Sequence, residues 1–124
     1  LLYCVQKEVI SKGYKRIGII GTKQVMVSKF YSMITSAEVF IPEGSLLDKV
    51  HEAYAKMATL GLANKEQREI FEKACNQFLT KNKVDAVMLG GTDLALIYRS
   101  ENVDFELIDC AKIHIEELFR FQVN

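Results

Sequence analysis

Residues 84–89, Val-Asp-Ala-Val-Met-Leu, run directly into Gly90-Gly91-Thr92-Asp93, and this stretch constrains the fold more than any other. Ala86, Val87, Met88 and Leu89 show no polar alternation, so a strand here must be covered on both faces, as in a parallel sheet. The glycines at its end let backbone approach a ligand closely. Thr92 can cap a following helix, whose N-terminal N–H groups and positive dipole end would favour a carboxylate.

The rest of the chain alternates in the same way. Residues 16–21, Arg-Ile-Gly-Ile-Ile-Gly, predict a first strand, and Thr22 opens a helical segment with Met26, Phe30, Met33 and Ile34 at helix spacing. Residues 37–41 predict a second strand, followed by a turn at Pro42-Glu43-Gly44. Ser45 is expected to cap a helix running through Val50, Tyr54 and Met57 to near Gly61. Asn64 and Gln67 have capping-box spacing for a second helix that presents Ile70, Phe71, Ala74, Cys75, Phe78 and Leu79 inward. A third strand at 84–89, a short helix at 92–99, a fourth strand at 105–108 and a last helix at 110–121 complete the pattern. A helix carrying Leu2, Val5 and Val9 on one face and stopping at Gly13 precedes it.

Such alternation predicts an α/β fold: a three-layer arrangement of a four-stranded parallel sheet flanked by helices on both faces. With 124 residues, 49% of them hydrophobic, a single domain over 1–124 is expected, with one sizeable core. Sixteen basic and sixteen acidic residues cancel, which argues against nucleic acid or an anionic membrane surface as partner. No apolar run reaches spanning length, and Cys4, Cys75 and Cys110 fit neither a disulfide framework nor a zinc site. A cytoplasmic protein is expected. The chain starts without methionine, inside a helical pattern, which suggests a piece of a longer protein.

Ligands of open parallel sheets collect beyond the carboxyl ends of the strands. That rule selects Gly21 and Thr22 after the first strand, Gly90 to Asp93 after the third, and Asp109 and Cys110 after the fourth. Thr22, Thr92 and Asp109 are equally suited to capping helices, and both readings stand. His114, beside Ile113 and Ile115, suits either the rim or a hydrogen-bonded core position. His51 is expected to be a solvated helix residue, Cys75 a core residue and 65–69 an exposed helix face. Gly18 and Gly21 lack the third glycine and the downstream acid of a dinucleotide fingerprint.

Gly18-Ile19-Ile20-Gly21-Thr22, followed by Met26, Ser28, Phe30 and Tyr31, resembles the opening of the second domain of aspartate/glutamate racemases. Val87-Met88-Leu89-Gly90-Gly91-Thr92-Asp93 resembles that family's Gly-Cys-Thr-Glu segment, and Leu107-Ile108-Asp109 with His114 resembles its closing segment. The resemblance implies an amino-acid racemase of two similar domains, with neither metal nor pyridoxal phosphate as cofactor. Its substrate, a small carboxylic or amino acid, would lie between the domains. It further implies one thiol per domain, a thiolate removing the Cα proton while the other thiol returns one on the opposite face. This chain would supply the second domain alone, inactive without a missing N-terminal domain, and a homo-oligomer is expected.

The resemblance places Thr22, Gly90, Thr92 and Asp93 at the substrate and His114 near its carboxylate. It places Gly91 where the family has its second cysteine, and a glycine cannot hold a proton. Cys110 is a displaced thiol or a small packing residue. Thr59 and Leu60 stand where a lysine often binds the substrate's second carboxylate, with Lys56 a turn earlier. Val25 replaces a threonine, and Asp93 a glutamate. Three functions remain open: a racemase with an altered second base, a single-thiol decarboxylase or cis–trans isomerase of the same superfamily, or a non-catalytic ligand-binding or association domain.

Overall fold

The computed structural model describes residues 2–28, 35–90, 94, 103–109, 113 and 115–116, with side chains from residue 5 onward. The elements run α1 (Leu2–Lys12), β1 (Arg16–Ile20), α2 (Lys23–Val27), β2 (Glu38–Phe40), α3 (Ser45–Leu60), α4 (Lys65–Thr80), β3 (Ala86–Leu89) and β4 (Glu106–Asp109). The strands form one four-stranded sheet in the order β2-β1-β3-β4, every neighbouring pair parallel. The chain therefore crosses β1 between β2 and β3, and α3 and α4 make that crossover.

Consecutive burial shows that the sheet is covered on both sides. Ile17, Ile19 and Ile20 of β1 and all four residues of β3 are buried although their side chains alternate in direction. Edge strands β2 and β4 are only partly buried. Gly18 lies under Phe78 of α4, with no room for a Cβ between them.

The helices bury the stripes their spacing requires: Val5 and Val9 on α1, Val50, Ala53, Tyr54 and Met57 on α3, and Phe71, Ala74, Cys75 and Phe78 on α4. Glycines in left-handed geometry end two of them, Gly13 at φ 71° after α1 and Gly61 at φ 72° after α3. The capping box of α4 forms as expected: the Gln67 amide N–H donates to Asn64 Oδ1 at 2.8 Å, and Asn64 N–H donates to Gln67 Oε1 at 3.0 Å. It also satisfies the buried Gln67 side chain.

Ser45 does not cap α3. Gly44 occupies the cap position at φ 59°, without a side-chain cap, and Ser45 is the first helical residue. The turn at 42–44 supplies what the cap would have: Leu46 N–H donates to Glu43 O and Leu47 N–H to Gly44 O. The strands begin later or end sooner than expected. Before β3, Lys83 turns through a positive φ of 53°, and Asp85 Oδ2 takes the Lys15 and Arg16 amides at 2.7 and 3.0 Å, so this residue fastens β3 to the start of β1.

The helical hairpin has a direction that matters for the site. Arg16 Nε, at the start of β1, donates to Asn82 O just past α4, and Glu43 joins Lys81 and the Gln77 side chain. The end of α4 thus sits at the amino edge of the sheet, and α3 starts beside the last turn of α4. From there α3 climbs to the carboxyl edge, where His51 meets Lys23. Its last nine residues carry it roughly 13 Å further.

At the amino edge the Tyr14 hydroxyl donates to Glu106 Oε2 at 3.3 Å, tying the end of α1 to β4. Burial, followed by the Glu106 charge, pushes the phenol up from 10.0 to about 12. The folded chain holds this proton more tightly than the unfolded chain does. The contribution of this proton to stability is therefore fully kept below pH about 10 and lost as pH rises through about 12. Absorbance titration of tyrosinate should show one late-titrating phenol that disappears in Tyr14→Phe; an unchanged titration curve would refute the assignment.

The expected helices at 92–99 and 110–121 and the residues 29–34 lie largely outside the described residues. Within them, Leu94 is fully buried and residues 113, 115 and 116 are helical. Among the described residues no helix is long and apolar enough to cross a membrane, and no cluster of potential metal ligands occurs.

Candidate functional site at the carboxyl rim

β1 delivers Gly21 and Thr22 to the rim, and the adjacent β3 delivers Gly90. The two turns touch. Gly90 N–H donates to Ile20 O at 2.8 Å, and an ideal Cβ on Gly21 would lie 3.6 Å from Gly90 Cα. A Cβ on Gly90 would stand 2.9 Å from Ile20 O and 3.0 Å from Val25 Cγ1, so only glycine fits. Val25 packs an apolar methyl over this pair of glycines.

Thr22 is a true helix cap, its Oγ1 accepting the Val25 amide at 3.3 Å. The capping reading is therefore correct for this residue. It leaves the hydroxyl proton available, because the oxygen accepts in the cap while the O–H can still donate.

The neighbouring amide is held from another element. Lys23 N–H donates to His51 Nδ1 at 2.8 Å, and Lys23 Nζ pairs with Asp48 Oδ1 at 3.0 Å, both partners lying on α3. His51 is half-buried rather than fully solvated, and through this solvent-exposed hydrogen bond it is also a strut under the β1–α2 turn. Accepting at Nδ1 puts the neutral ring's proton on Nε2. With Lys23 and Val25 committed inside the protein, two amides of the first turn of α2 are not offered to a ligand.

Helical spacing places Ala55 and Thr59 on the stripe of α3 above His51. Both are exposed, and the Thr59 hydroxyl is turned back onto Ala55 O at 2.9 Å. Lys56 does not share that stripe. It lines the cleft between α3 and α4 with Ala53, Gln67, Ile70 and Lys73. The stripe that overlooks the rim is neutral beyond Asp48.

The structure therefore brings together Thr22 and Gly90 among the expected site residues. Asp109 ends β4 beside Leu89, half-buried on the same edge. Gly91, Thr92, Asp93, Cys110 and His114 lie outside the described residues. Cys75 is buried in α4, as expected of a core residue. The residue missed by sequence reasoning is His51, whose only signal is its place on one stripe with Ala55 and Thr59.

A parallel α/β sheet with a glycine-lined rim at its carboxyl edge defines a ligand-site class found in many enzymes. The Asp/Glu/hydantoin racemase family model matches residues 3–118, and the chain belongs to that family. No curated protein matches it in sequence.

Among solved structures it is similar to an aspartate racemase homologue from Pyrococcus horikoshii OT3, at TM-score 0.85 and 22% identity over 99% of this chain. It is likewise similar to a candidate Asp/Glu racemase from Yersinia pestis, at TM-score 0.86 and 18% identity over 99% of the chain. An aspartate racemase from Picrophilus torridus matches at TM-score 0.61 and 19% identity over 87% of the chain. These identities speak for the fold. The chain spans about half the length of these structures, covering 55%, 55% and 46% of them respectively.

Proposed function

We propose that this chain forms one wall of a cofactor-independent amino-acid racemase of the aspartate/glutamate type, working with a second domain that closes over the rim. The family match across residues 3–118 carries the reading. In it, the Thr22 hydroxyl and the backbone from Gly90 to Asp93 hold the substrate carboxylate. A thiolate of the other domain removes the Cα proton. The opposite face receives its proton from Cys110 or water rather than from residue 91, while His114 orients the substrate carboxylate. Alone, the chain lacks the first base and is inactive.

Gly91 favours a second reading, a single-thiol decarboxylase or cis–trans isomerase, because such chemistry does not need matched bases on both faces of the substrate.

The test is Cα proton exchange in D₂O, followed by NMR with L- and D-aspartate and L- and D-glutamate, on the protein together with its partner domain. Deuterium incorporation with inversion is the expected result. No exchange would transfer the function to the single-thiol reading or to a binding or association domain.

A further inference from the structure

His51 comes from α3, 28 residues along the chain from the turn it holds. Lys23 is the first residue of α2, and its amide is one of the groups a helix start leaves without an internal partner. His51 Nδ1 takes it at 2.8 Å, and Asp48, on the same helix, takes the Lys23 ammonium at 3.0 Å. Immediately before Lys23 stands Thr22, whose Oγ1 is occupied as acceptor by Val25 N–H while its proton remains to be donated. Gly21 rests against Gly90, so the height of this turn also sets the gap between the ends of β1 and β3.

We propose that His51 is a positioning residue of the rim: by accepting the Lys23 amide it fixes the β1–α2 turn and aims the Thr22 hydroxyl at a carboxylate bound between the ends of β1 and β3. This inference rests on the carboxylate-binding part of the proposed function. The imidazole acts through Thr22 and does not touch the ligand. The Lys23–Asp48 ion pair and the Lys23–His51 hydrogen bond are both exposed to solvent, and of the two only the hydrogen bond holds the backbone of the turn.

The experiment is an NMR titration of the protein, together with its partner domain, with L-aspartate, following the Gly21, Thr22 and Gly90 amides and hydrogen exchange of the Lys23 amide. Wild type is compared with His51→Leu, which removes the acceptor, and with His51→Asn, whose Oδ1 occupies nearly the place of Nδ1. Thr22→Val and the His51→Leu/Thr22→Val double variant complete a cycle.

His51→Leu should speed Lys23 exchange and weaken L-aspartate about tenfold each, the scale of one lost hydrogen bond. His51→Asn should restore both to within about twofold, and His51→Leu should cost nothing further in the Thr22→Val background. Undiminished binding in His51→Leu overturns the proposal. So does an equal loss in His51→Asn, which would mean that the ring itself meets the ligand, and so does full additivity in the double variant. A wild type that binds no L-aspartate overturns the carboxylate reading instead. Exchange of Lys23 then decides the anchor alone: faster in His51→Leu than in His51→Asn keeps it, and equal rates remove it.

Discussion

Gly18→Ala is expected to cost about 1–3 kcal/mol of stability, the range for overpacking a filled core. An ideal Cβ at this position would lie 2.4 Å from Phe78 Cδ2, 2.5 Å from its Cγ and 2.8 Å from its Cε2. Gly18 is flanked by β2 on one side and β3 on the other, and Phe78 is fully buried, so neither strand nor ring has open space to move into. Urea denaturation should show a lower midpoint with an unchanged slope. Phe78→Leu, destabilising alone, should recover part of the loss when combined with Gly18→Ala, because the smaller side chain leaves room for the methyl. A Gly18→Ala variant within about 0.5 kcal/mol of wild type would show that the ring does not press on β1. Gly21 provides the contrast: its nearest neighbour to an added Cβ is Val25 Cγ1 at 3.5 Å, an ordinary contact.

Gly91→Cys should change chemistry rather than stability. In the proposed racemase one thiolate comes from the partner domain, and with glycine at position 91 the proton on the opposite face comes from a group less directly placed than a thiol at 91 would be. Under the proposed racemase reading, wild type should exchange the Cα proton of one enantiomer faster than it inverts it. A thiol at residue 91 supplies a directly placed donor, and a positioned acid or base contributes about 10²–10⁴-fold. Inversion should rise by about that factor, while exchange of the favoured enantiomer changes far less. The ratio of inversion to exchange, read by chiral chromatography beside deuterium incorporation, isolates the second base. An unchanged ratio would mean that residue 91 is not where the second proton is delivered.

Much of the fold was legible because its causes are local. The unbroken apolar run at 86–89 requires cover on both faces, and Ala86–Leu89 is the buried strand at the sheet's centre. Asn64 and Gln67 are three residues apart, so their capping box follows from helix geometry alone. Gly13 and Gly61 end helices because each must enter left-handed backbone. Ser45 shows where local reasoning stops. Serine before an apolar stripe is a good cap, yet Gly44 takes the cap position and backbone bonds from 43 and 44 fill the role.

Over the described residues, the sequence by itself determined the order and type of the elements, the parallel sheet they must form, and the edge where Gly21 and Gly90 meet. These follow from periodicity, turn chemistry and the rule that parallel strands aim their carboxyl ends one way. Tertiary structure alone decided which residues support that edge. Asp85 falls inside the strand expected at 84–89, and folding makes its carboxylate the clasp on the Lys15 and Arg16 amides, 70 and 69 residues away. His51 looked like one more polar residue on a helix, and Lys56 like a cation near the site. The rotation of α3 against the sheet sent the first to Lys23 and the second into the cleft beside α4. That rotation is set by the burial of Val50, Tyr54 and Met57 against distant partners, a constraint that no window of neighbouring residues contains.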